Sequence, residues 1–431
     1  MTKKPFKSKK KKNFDPLNSF DNLSKKVKML RREASPVKEI MHFADPEYIK
    51  TLGINTDELI SFAGGWVNHK APEKLREAYE SIVSDIDLFH SSGKYSSTLG
   101  EKEFKIAISL FEKELYKMDI SEKQIAVGTG STQLAMELFN VILDPGDKIL
   151  LLDPSYCNYP TQLLTGIPDV EILRFSVMDE KEWKFIADEK IEEFCNYILD
   201  NKPKIVMLVS PDNPTSKILS DKFVKAALNA IKEINGFLII DFAYKELIFE
   251  NNYPDYFSWS PSENYISLRT NSKWCRSLGR RVGWVEAPEF IIESMDSIQN
   301  STILCPDTLH QMALTRFIKE SIKNKYLVDY IEETRKMYKN TAEKTVKLLK
   351  EKFDFKIIIP EGGLYIFMNV ETDSAKFVEE VLKETGVSFV PGWGFGRTGK
   401  KAIRISFGPL VGDIKKIEKG LARVEEYLKN E

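Results

Sequence analysis

The chain is poor in cysteine. Cys157, Cys195, Cys275 and Cys305 are scattered over 431 positions without a C-x-x-C pair. That spacing supports neither a disulfide framework nor a zinc site, so no metal is expected, and it suits a reducing compartment such as the cytoplasm. No apolar run approaches the roughly 18 residues that would suggest a membrane span. Excess charge is missing as well. There are 63 basic and 64 acidic residues, a net charge of −1, so the chain as a whole carries no footprint for nucleic acid. Neither a Walker A loop nor a G-x-G-x-x-G fingerprint occurs, and internal repeats are absent.

What is present is a chain of 49.5 kDa with 42% hydrophobic and 29% charged residues, as in soluble globular proteins. This length predicts two domains. The first twelve residues, "MTKKPFKSKKKK", carry seven lysines and no acid. They lack the apolar segment of a secretory signal. Residues 1–14 are expected to form a disordered, solubilising arm, with polyanion binding as the weaker alternative.

From about residue 120, short apolar runs alternate with amphipathic segments. The strand candidates are 124–128, 148–153, 170–175, 204–210, 236–241, 264–269 and 282–287, with helices between them such as 132–142 and 220–234. Several of these runs are apolar throughout, the pattern of strands covered on both faces in a mostly parallel sheet. The expected fold class is α/β, doubly wound. Past residue 290 the texture changes. A long amphipathic helix over 325–352, with Leu327, Tyr330, Ile331, Met337 and Tyr338 on one face, leads into a mixed α+β region. The expected division is a large domain over 60–320 and a smaller one from 15–59 plus 321–431.

Several motifs bear on chemistry. "VGTGSTQ" (127–133) follows a strand and opens a helix, and reads either as a phosphate cradle at a helix N-terminus or as an ordinary cap. "SPDNPTSK" (210–217) places Asn213 before Pro214, where a simple β-turn explains the tetrapeptide equally well. "IIDFAY" (239–244) puts Asp241 at the carboxyl end of an apolar strand, the ligand-binding edge of open α/β sheets, with Tyr244 three residues on. A carboxylate leaving such a strand needs a cation, unless it caps the next helix. "NSKWCRSLGRRVGWV" (271–285) squeezes Lys273, Arg276, Arg280 and Arg281 between two apolar runs. Gly279 and Gly283 argue against one continuous helix there.

Taken in order, these segments resemble the class I/II aminotransferases of fold type I, which use pyridoxal 5′-phosphate. The resemblance rests on "KYSSTLG" (94–100), "GTGSTQ" (128–133), "DPSYCNYP" (153–160), "DNPTS" (212–216), "DFAY" (241–244), "RTNSK" (269–273) with Arg281 eight residues after Lys273, and "IRISFG" (403–408). It covers roughly residues 60–410. It implies that Lys273 forms the Schiff base with the cofactor and then serves as general base. It implies Asp241 on the pyridine nitrogen, Tyr244 and Asn213 on the ring oxygen, and Tyr156 against the ring face. The resemblance further implies Ser131, Thr132, Thr270 and Arg281 on the phosphate, and Tyr95 reaching the cofactor of a second subunit in a homodimer. Arg404 clamps the substrate carboxylate, and Gly65 (or Gly64) lets backbone approach the substrate.

There are departures from the family pattern. Ser216 stands where the family has glycine, Thr270 where it has serine, and Arg276 and Arg280 have no family role, so acidic partners are expected for them. The implied reaction moves an amino group from an L-amino acid to a 2-oxo acid. A lyase, decarboxylase, racemase or oxidase would use the same cofactor-holding residues. A regulator sensing the cofactor would need a DNA-binding domain, for which a twelve-residue arm is too short.

Overall fold

Seven strands form one sheet in the computed structural model, which describes residues 45–430 except 168, together with 24, 26, 27 and 42. The lysine-rich arm and most of segment 15–44 lie outside the described residues. The strands are β1 (Ile125–Gly128), β2 (Lys148–Asp153), β3 (Glu171–Ser176), β4 (Ile205–Val209), β5 (Phe237–Asp241), β6 (Tyr265–Thr270) and β7 (Gly283–Glu286), in the order β1-β7-β6-β5-β4-β2-β3. All neighbours are parallel except those of β7, which runs antiparallel to both β1 and β6.

The apolar runs explain the layering. Alternation sends Ile149, Leu151, Ile239 and Leu268 to one face and Leu150, Leu152, Leu238 and Ile240 to the other. Helices cover both faces. Ser131–Ile142 and Glu289–Thr302 supply Leu134, Leu138, Ile291 and Met295 to the first. Lys102–Tyr116, Asp221–Glu233 and Thr308–Lys323 supply Phe104, Phe111, Phe223 and Phe317 to the second. Each such side chain contributes roughly 1.5–3 kcal/mol on leaving water.

A second sheet follows, antiparallel, from β8 (Ile357–Ile358), β9 (Tyr365–Asn369), β10 (Val390–Pro391) and β11 (Ala402–Ser406), in the order β8-β9-β11-β10. Its core gathers Phe62, Ile366, Val378, Ile405 and Leu421. Helix Tyr326–Lys352 contributes Leu327 and Ile331 to the large-sheet core and Tyr338, Ala342 and Leu349 to this one. Met337 departs from the expected stripe: it is exposed.

The topology places the chemistry. Parallel strands bring Gly128, Val209, Asp241 and Thr270 to one edge of the sheet, the carboxyl edge. Because β7 is antiparallel, the residues that precede it, including Arg281, arrive at the same edge. Gly128, Gly283 and Thr270 stand in register across three adjacent strands.

Candidate active site

The helix Ser131–Ile142 starts above that register. Its N-cap is Gly130, at φ 93°, and no side chain caps it. Ser131 and Thr132 are therefore the first two helical residues, and the free N–H groups of the first turn face outward. Glycine is required at two places around this start. A Cβ on Gly283 would sit 2.7 Å from the Arg269 carbonyl and 2.9 Å from the Ser131 nitrogen. A Cβ on Gly130 would sit 2.5 Å from Nη2 of Arg281. The guanidinium thus lies directly against the helix start, and the two form one positively charged corner of the kind that suits an anion. Arg281 itself adopts a left-handed backbone, φ 54°, and donates to the Leu278 carbonyl at 2.7 Å. The Thr270 hydroxyl donates to the Val282 carbonyl at 3.0 Å and lies 2.8 Å from the Ser272 hydroxyl.

Asp241 ends β5 almost fully buried. Its two oxygens are oriented by Tyr159, which donates at 2.7 Å, and by the Ala243 amide at 2.9 Å. No helix follows for it to cap; the short 3₁₀ turn begins at Lys245. Burial pushes the carboxyl up to about 6, against the opposing effect of those donors, Lys273 and Arg269. Lys273 donates to the Gly65 carbonyl at 2.6 Å and lies 5.8 Å from the Tyr244 ring centre. Burial, then the nearby Arg404 and Arg281, bring its amine down to about 8.

Arg404, on β11, enters from the second sheet. It donates to Asn213 Oδ1 and to the Ala63 carbonyl, both at 3.0 Å, and its guanidinium stacks 4.3 Å from the Tyr365 ring centre. Its Nε has no partner among the described residues. Tyr365 in turn hydrogen-bonds Tyr244, hydroxyl to hydroxyl, at 2.8 Å. Asn213 sits in a turn held by Asp212, which accepts from the amide and hydroxyl of Thr215. The expected glycine position carries Ser216 at φ 56°, a conformation offset by its contacts. Its hydroxyl accepts from the Tyr365 amide at 3.1 Å and its carbonyl from the Glu361 amide at 2.9 Å.

One cavity of about 200 Å³ is lined by Gly65, Ser131, Thr132, Tyr156, Asn213, Asp241, Tyr244, Thr270, Lys273, Arg281 and Arg404 together. Tyr95 is not among them; it is 82% exposed and lines a separate surface groove with Lys94 and Met312. Sequence reasoning passed over Tyr159, Ser272 and Tyr365, which also line the cavity. Tyr159 stands three residues after Tyr156 in "DPSYCNYP", a spacing that would have flagged it. Tyr365 read only as a strand residue. Among the described residues Arg276 and Arg280 have no acidic partners. Arg276 donates to the Asn68 side chain and the His69 carbonyl, and Arg280 stacks 4.3 Å from the Tyr79 ring centre. Among the described residues no group of side chains suits a metal ion, and no helix is long and apolar enough to cross a membrane.

The arrangement sets a lysine with a lowered pKa and a buried carboxylate beside a cationic helix start and a second arginine. Comparison with known proteins gives the family. The chain is 28% identical to an aspartate aminotransferase of Thermotoga maritima over 84% of its own length and 91% of the relative's. It is 26% identical to an asparagine–oxo-acid transaminase of Streptococcus mutans, over 93% and 99%. Its fold superposes on a single mutant of aspartate aminotransferase of Thermus thermophilus with a TM-score of 0.80 at 21% identity, covering 94% and 99% of the two chains. The family model for aminotransferase class I and II matches residues 59–424. Carrying that match over most of its length, this protein belongs to the class I and II aminotransferases.

Proposed function

We propose that this aminotransferase passes an amino group from an L-amino acid to a 2-oxo acid, with pyridoxal 5′-phosphate held in the cavity. The observation that carries the reading is that Lys273 and Asp241 share one small cavity with an uncapped helix start and Arg281. The residues suit the cofactor: an anion corner for the phosphate, a buried carboxylate for a protonated ring nitrogen, and an amine for the aldehyde. When bound, the cofactor supplies a carbonyl that captures amines and a ring that takes up the electrons released at the substrate Cα.

The chain's own residues do the rest. Lys273 anchors the cofactor and, once displaced by substrate, removes and returns the Cα proton. Asp241 pairs with the ring nitrogen and is kept in place by Tyr159. Tyr244 and Asn213 bond the ring oxygen, and Tyr156 covers a face of the ring. Ser131, Thr132, Arg281 and Ser272, with Thr270 behind it, hold the phosphate. Gly65 and Arg404 receive the substrate, the latter by a two-pronged bond to its carboxylate.

A homodimer completes the proposal. Tyr95, Ile86 and Phe89 are 82%, 76% and 50% exposed, an apolar stretch that suits burial against a second copy. Tyr95 would then reach the partner's cofactor. A sedimentation mass of one chain would contradict this.

The test is a panel of amino donors against 2-oxo acids. Formation of a new amino acid in step with a new oxo acid is expected; release of ammonia or carbon dioxide instead would contradict transamination. In the same assay Arg404→Lys, which loses one prong of a charge-assisted pair, raises KM roughly tenfold or more. An unchanged KM would assign the carboxylate to another residue. Cofactor capture adds a pH test. Capture needs the neutral amine, and the lowered Lys273 is half neutral at about pH 8. The capture rate of the cofactor-free protein therefore rises with pH through about 8 and then levels. A midpoint near 10.5, the ordinary lysine value, would show that the cavity does not activate this amine.

A further inference from the structure

Five charged side chains pack together on the far face of the large sheet. Arg269, Glu112 and Glu286 are fully buried, and Lys245 and Glu246 nearly so. Arg269 donates to Glu112 Oε1 from Nε at 3.0 Å and from Nη2 at 2.6 Å, and to Glu246 Oε1 at 2.7 Å. Glu286 lies 3.6 Å from it. Lys245 donates to Glu112 Oε2 at 3.2 Å and sits 3.9 Å from the Tyr116 ring centre. Trp284 donates to Glu286 at 2.9 Å and Tyr116 to Glu246 at 3.2 Å. Three acids thus face two cations. One oxygen each of Glu246 and Glu286 has no partner among the described residues. Burial, then the neighbouring Glu112, pushes Glu286 up to about 7. Apolar packing of the same volume often serves stability as well as such a cluster or better. A reason other than stability is needed.

The positions supply one. Alternation along β6 turns Thr270 to the cavity and Arg269 to the opposite face, among Tyr116, Phe242 and Trp284. Lys245 and Glu246 directly follow Tyr244. Arg269 reaches the carbonyl of Phe242, the residue after Asp241, at 3.5 Å. Its charge also favours the ionised form of Asp241, whose surroundings further include Tyr159, the Ala243 amide, Lys273 and Tyr156. We propose that Arg269, clamped by Glu112 and Glu246, is a positioning residue: from behind the sheet it supplies counter-charge to Asp241 and anchors the turn that carries Tyr244.

This inference rests on the reading of Asp241 as the partner of the ring nitrogen, and the test uses the cofactor-loaded, full-length protein. Arg269→Met combined with Glu246→Gln removes a cation and an anion together, so the excess of one acid in the cluster is unchanged. The expected result is a kcat lower by about tenfold, the equivalent of one pKa unit at Asp241, with KM for the amino donor unchanged. The pH midpoint of the bound cofactor's visible absorbance moves with it. Arg269→Lys, which keeps the charge, recovers most of the parental midpoint. Glu286→Gln keeps an oxygen for Trp284 and removes an anion, and shifts the midpoint the opposite way; this variant decides the matter if the double variant does not fold. A midpoint superimposable on the parent's, in a folded double variant or in Glu286→Gln, overturns the proposal. If Asp241→Asn is itself without effect on kcat, the underlying reading fails instead.

Discussion

Lys273→Ala is expected to lower kcat by about 10⁴-fold, the upper range for losing a positioned acid–base group. No neighbour can deputise. Arg281 and Arg404 offer guanidinium donors and no acceptor for the proton. Tyr244 is buried, and burial raises its pKa well above the ordinary phenol value, so it does not ionise to act as a base. Cys157, also in the cavity wall, is pushed up to about 11 by burial. The variant should still hold the cofactor without a covalent bond, because the helix start, Arg281 and Asp241 remain. Its loss is therefore one of chemistry more than of binding. Steady-state turnover and equilibrium dialysis of the cofactor check the two halves separately. Retention of a tenth of the parental kcat would remove Lys273 from the centre of the mechanism.

Asp241→Asn is expected to lower kcat by roughly 10²–10³-fold, the range for losing one pre-organised electrostatic partner of the transition state. The substitution is nearly isosteric. Tyr159 can still donate to the remaining carbonyl oxygen, so the side chain stays in place while its charge disappears. Because the substrate carboxylate is assigned to Arg404 on the other sheet, KM should change far less than kcat. A kcat within threefold of the parent would mean that the ring nitrogen needs no anionic partner here.

Much of the architecture was legible because it depends on local pattern. Several of the seven strand segments were continuous apolar runs, and the observed strands fall within one residue or so of the expected segments. Asp241, Lys273 and Arg281 were legible through their places beside those runs. The buried charge cluster was not. Nothing in the sequence marks Glu112, Lys245, Glu246 and Glu286 as buried partners of Arg269; they come together only through the packing of helix Lys102–Tyr116, the turn after β5 and strand β7 around β6. Arg276 and Arg280 misled for the same reason. Among the described residues no acid meets them, and a carbonyl and an aromatic ring, invisible in a charge pattern, take that place. The left-handed Ser216 looked like a departure from the family turn. The second sheet explains it, since Tyr365 and Glu361 hydrogen-bond to it across roughly 150 residues of chain.

The most direct measurement is covalent. Protein loaded with pyridoxal 5′-phosphate, reduced with borohydride and digested, should carry the reduced cofactor on the peptide containing Lys273 and on no other. An unmodified Lys273 peptide, or the adduct on a different lysine, would contradict the account of this site.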